Sequence, residues 1–99
     1  MGKILKKVIV RADRAGVFFG TLLSKEGSEV QLANARKLYY WSGANTVEDI
    51  ALRGVLKPDN CKFTDIVEEI TVNNYLQILP CTEEAINNIE NVPVWKAEL

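Results

Sequence analysis

Asn34, Arg36, Tyr39, Tyr40, Trp41, Ser42 and Asn45 lie within twelve residues of one another and combine aromatic rings, carboxamides, a hydroxyl and a guanidinium. A bound nucleotide needs this set: rings to stack on the base, directional donors and acceptors for its edge, and cationic or amide donors for phosphate. The helix expected to begin directly after them contributes first-turn amides, which favour anions. Arg11 and Arg14, in the first expected hairpin, add further positive charge. Asn34, Arg36, Tyr40, Trp41, Ser42 and Asn45 therefore form the candidate ligand-binding set. The same residues also admit a structural reading, in which Trp41 and one tyrosine are core, Asn34 and Ser42 satisfy turn amides, and Arg36 is solvated. Ser42-Gly43-Ala44 is not a phosphate loop, because it lacks the glycine spacing and the following lysine.

Catalytic chemistry has less to work with. The chain contains no histidine, which excludes Ser-His and Cys-His nucleophile pairs and every His metal ligand. The acid pairs Glu48/Asp49, Glu68/Glu69 and Glu83/Glu84 are adjacent residues, which point to opposite faces of a strand and diverge around a helix. Cys61 and Cys81 have no CxxC spacing, so no zinc site is expected, and Cys81 reads as a small buried filler. These features predict a protein that is not an enzyme, with no metal and no cofactor.

At 99 residues, 47% of them hydrophobic and 25% charged, the composition fits one globular domain over residues 1–99. A domain this small has a modest stability margin, which favours a homo-oligomer. Net charge is −1, but residues 1–40 carry eight Lys/Arg against three Asp/Glu, and residues 41–99 carry four against ten. Such halves suit a basic and an acidic face, or surfaces that meet in an oligomer. With no concentrated cationic stripe, DNA binding is not expected. No stretch approaches the ~20 apolar residues that a membrane span needs, and MGKILKKVIV lacks the apolar run of a secretion signal. The expected location is the cytoplasm.

The elements that must position the candidate residues follow from periodicity. KVIVRA (7–12) and VFFGTLLS (17–24) read as a hairpin around Asp13-Arg14-Ala15-Gly16, with Gly20 marking a bulge, sharp curvature or a close backbone approach. SEVQLAN (28–34) is a third strand with Val30 and Leu32 inward, and Lys37–Trp41 a fourth. Thr46-Val47-Glu48-Asp49 resembles a capping box that opens a two-turn helix ending at Gly54. IVEEITV and YLQILP, on either side of Asn73-Asn74, form a hairpin or one bent strand crossing the sheet. Thr82 caps a second helix over Glu83–Ile89, and the tail through Trp95 is extended. The expected fold is α+β: a small curled antiparallel sheet of five or six strands with two short helices, a barrel in the Src-homology-3 manner being one form that such a sheet can take.

Asn34-Ala35-Arg36, Tyr40-Trp41-Ser42-Gly43-Ala44-Asn45, Ile78-Leu79-Pro80-Cys81-Thr82-Glu83 and Val92-Pro93-Val94-Trp95-Lys96-Ala97 together resemble a family of small phage and prophage proteins of unknown function. The similarity covers nearly the whole chain. It implies a viral origin and action in a bacterial cytoplasm or a virion, and it transfers no catalytic residue. Two functions follow as expectations. One is sequestration of a nucleotide or nucleotide-derived signal against host defence. The other is a virion component or a blocker of a host protein, with Tyr39, Tyr40 and Trp95 as aromatic anchors.

Overall fold

The computed structural model describes residues 6–96. Residues 1–5, which belong to the stretch read above for a leader, and 97–99, including Ala97 of the closing motif, lie outside the described residues. The strands are β1 (Lys7–Ala12), β2 (Gly16–Glu26), β3 (Glu29–Tyr40), β4 (Lys62–Phe63), β5 (Val67–Asn73) and β6 (Tyr75–Pro80). The helices are α1 (Val47–Arg53) and α2 (Glu83–Glu90). Every strand pair is antiparallel, in the order β4-β3-β2-β1-β6, with β5 also paired to β3.

β5 and β6 are one bent strand rather than a hairpin. They sit at opposite ends of the sheet and are joined through Asn74, which has a φ of 58°. Asn74 N–H donates to Ser28 O at 2.8 Å, and its carbonyl accepts from Asp13 N–H at 3.0 Å, so both hairpin turns meet there. The sheet is therefore curled without closing into a barrel. Inside the curl Val8, Val10, Phe18, Val30, Leu32 and Val72 pack together, drawing on both ends of the sheet. The other face, with Ile9, Phe19, Leu38 and Phe63, is covered by Ile50 and Ala51 of α1 and Ala85 and Ile89 of α2. Burial on both faces explains why the first two strands read as nearly continuous apolar runs.

Gly20 behaves as its position suggests: a Cβ there would come within 2.9 Å of Ala35 Cβ. The register shifts between Phe19↔Arg36 and Thr21↔Ala33, giving β3 one extra residue, and Asn34 takes a φ of 49° within that bulge. The stretches 28–34 and 37–41, expected as separate strands, are one strand bent at this point. Trp41 lies just beyond its end.

Thr46 Oγ1 accepts from Asp49 N–H at 3.1 Å, as the capping pattern requires. The expected return bond from Asp49 is replaced by an ion pair with Arg53, one turn on, at 3.2 Å. Thr82 serves both helices. Its hydroxyl accepts from Ala85 N–H at 3.1 Å to cap α2 and donates to Leu52 O at 2.7 Å, while its own N–H donates to Ala51 O at 3.0 Å. The unpaired carbonyls at the end of α1 are thus satisfied by the start of α2.

Candidate functional site

The structure does not gather the six candidate residues into one hollow. Asn34 is exposed at the β3 bulge, six residues from Tyr40, which is about 20 Å along a strand. Trp41 is half-buried and packs with Ala44 and Val47 against the helix-covered core. Ser42 is held by its backbone, its N–H 3.4 Å from Cys61 Sγ. Asn45 is exposed beside a hollow of about 460 Å³ that Gly43, Asp49, Arg53 and Leu56 also line. Tyr40 stands at the far end of β3, 52% exposed.

Arg36 is the clearest correction, because it is neither in a ligand hollow nor solvated. It is 1% exposed, the only charged side chain in the core of the described residues. Its Nε donates to Thr64 O at 2.8 Å, and its Nη1 donates to both Ile89 O and Val92 O at 3.0 Å. The guanidinium carbon lies 5.3 Å from the centre of the Phe63 ring. α2 has no basic residue in its last turn, so Arg36 supplies from β3 the positive charge that a helix C-terminus favours. Burial lowers its pKa, partly offset by the nearby Asp65 carboxylate.

A different cluster does reach solvent. Tyr39 is 62% exposed and Trp95 43% exposed; their ring planes are parallel to within 1°, with centroids 5.9 Å apart. Lys62 Nζ lies 5.1 Å from the centre of the Trp95 ring and 5.9 Å from that of Tyr40. A regular strand would send Tyr39 and Tyr40 to opposite faces. Here the register shifts between Leu38↔Phe63 and Tyr40↔Lys62, so Tyr39 is the extra residue of a bulge. That bulge takes Tyr40 off the buried Leu38 face and sets it beside Lys62. Trp95 arrives from the tail, where its N–H donates to Phe63 O at 3.0 Å and Val94 forms a parallel bridge with Phe63. Three rings and one ammonium therefore share a patch on the short edge of the sheet. Sequence reasoning named the tyrosines and Trp95 as anchors but missed Lys62, because nothing local signals the bulge that pairs it with Tyr40.

The cysteines offer no nucleophile. Cys61 is buried, with its thiol 3.4 Å from Lys57 O. Cys81 lines a hollow of about 640 Å³ with Lys7, Ile86 and Glu90, and burial pushes its thiol up to about 12. Two results follow. Iodoacetamide at neutral pH labels Cys81 much more slowly than a free thiol. A folded pKa raised above the ordinary 9.0 means that the Cys81 contribution to stability is complete below pH 9 and declines as pH rises toward 12. A Cys81→Ala variant therefore loses less stability over that interval than the parent chain, as urea titrations at each pH will show.

Among the described residues no group of His, Cys, Asp and Glu could hold a metal ion, and no helix is long and apolar enough to cross a membrane. The curled sheet, its two covering helices and the aromatic edge define a small α+β domain with an exposed aromatic platform. Residues 5–89 match the family described as a domain of unknown function (DUF6948), and the chain belongs to that family. No curated protein and no solved structure matches it.

Proposed function

We propose that this chain is a non-enzymatic protein-binding module whose recognition surface is the platform of Tyr39, Tyr40, Lys62 and Trp95. The observation that carries this reading is the solvent-facing Tyr39–Trp95 pair with the Lys62 ammonium beside it. Tyr and Trp offer large, stiff contact areas at low entropic cost and dominate binding hot spots. Lys62 forms no ion pair among the described residues, which suits a partner segment carrying an aromatic or proline ring next to a carboxylate. The resemblance to small phage and prophage proteins extends the proposal to a viral protein that engages a host or virion protein in a bacterial cytoplasm. Self-association through the same platform belongs to this reading and is followed by light scattering.

The test is a random-peptide display library panned against the parent chain, with enriched peptides remeasured by calorimetry. Trp95→Ala and Tyr39→Ala should each weaken binding by about tenfold or more while leaving thermal stability nearly unchanged. Peptides that bind the variants as well as the parent, or no enrichment at all, would remove this reading. Sequestration of a nucleotide, the other expectation, must operate without Arg36, which is sealed in the core with Nε and Nη1 on backbone carbonyls and Nη2 buried without a partner. That alternative predicts thermal stabilisation by a nucleotide panel and a co-purifying ligand that absorbs in the ultraviolet.

A further inference from the structure

We infer that Arg36 is the positioning residue of the aromatic platform. Its bonds join the three segments that carry the four platform side chains. Arg36 itself lies on β3, which carries Tyr39 and Tyr40. Nε holds Thr64 O, two residues beyond Lys62. Nη1 holds Ile89 O and Val92 O, the latter three residues before Trp95. Beyond Val92, among the described residues, the tail is tied to the sheet backbone by the bridge between Val94 and Phe63, made by the Trp95 N–H bond to Phe63 O. One tie at an edge strand of two residues is a weak anchorage, of the kind that opens locally without global unfolding. The guanidinium makes it persistent by fixing the segment from which the tail departs. A lysine cannot do the same, because one ammonium lacks the planar fork that serves Thr64 and the end of α2 together.

The functional meaning of this role rests on the interaction reading above, but its geometry can be tested without any partner. In a Trp41→Phe background Trp95 is the only tryptophan, and its emission and acrylamide quenching report on the platform. Arg36→Met should shift the emission to the red and raise quenching toward that of indole in water, while the far-ultraviolet spectrum keeps its sheet and helix signal. Arg36→Lys should shift both in the same direction by less, and it carries the test if the methionine variant does not fold. Asn88→Ala, which removes the Asn88 bonds to Val55 on the other side of α2, is the control for general loosening. Unchanged Trp95 signals in the folded Arg36 variants, or an equal change in Asn88→Ala, would overturn the inference. A Trp95 that loosens while display yields no Trp95-dependent peptide leaves the positioning role standing and removes the interaction reading; peptide binding with an unmoved Trp95 does the reverse.

Discussion

Arg36→Met lowers the stability of the chain by about 3 kcal/mol, the cost of leaving several buried acceptors without their charged donor. Methionine replaces much of the stem but none of the donors, so Thr64 O, Ile89 O and Val92 O all lose the guanidinium. One opposing effect must be set against this loss, because removing a buried cation also removes its desolvation cost, which the lowered pKa of Arg36 registers. The loss prevails because carbonyls, unlike a carboxylate partner, cannot be exchanged for apolar groups by a second substitution. In a domain of this length the change corresponds to a fall in Tm of about 15 °C. Urea titration should show a lower midpoint with an unchanged slope, since the folded and unfolded surfaces stay nearly the same. A loss within about 0.5 kcal/mol, the scatter of ordinary surface substitutions, would show that water replaces the guanidinium.

Gly54→Ala is expected to cost about as much, roughly 3 kcal/mol, through two separable effects. Gly54 has a φ of 81°, where a side chain is strained, and a Cβ there would lie 2.2 Å from Asn88 Oδ1. Asn88 is not free to yield. Its Oδ1 accepts from Val55 N–H at 2.7 Å and its Nδ2 donates to Val55 O at 2.8 Å, clasping the end of α1 to the middle of α2. Inserting the methyl group breaks both bonds as well as straining the backbone. Asn88→Ala alone loses only the clasp, about 2 kcal/mol at one for each neutral bond. In the Asn88→Ala background the clasp is already lost, but the remaining Cβ still lies 2.5 Å from the inserted methyl group, so Gly54→Ala should cost less than in the parent chain yet more than the backbone share of about 1 kcal/mol, giving a coupling below about 2 kcal/mol in the double-mutant cycle. Strict additivity by urea titration would refute the steric account.

Local pattern was enough for most of the elements. Thr46 and Thr82 stand before apolar residues at helical spacing, and both cap the helices expected of them. Gly20 was legible because a strand interior rarely omits a side chain without a close neighbour, and Ala35 is that neighbour. The candidate site was less legible. Arg36 has the same composition signal whether it points to a ligand, to water or to a helix end, since the carbonyls it serves are 53 and 56 residues away in the chain. Tyr39, Tyr40 and Trp95 were visible as unusual aromatics, yet their convergence depends on the bulge opposite β4, and β4 is only two residues long.

The amino-acid order alone determined what kinds of chemistry are available and which short segments are strands or helices, because capping, turn chemistry and side-chain alternation act over a few residues. Only the tertiary structure decided which side chains meet. Curling the sheet brought the end of α2 over β3, which drew a guanidinium into the interior against the carbonyls at that helix end. A one-residue slip in pairing then set Tyr40 beside Lys62, whose ammonium also faces the Trp95 ring, three side chains from segments more than twenty residues apart. Long-range packing and register govern both outcomes, and neither leaves a mark on the residues immediately around them.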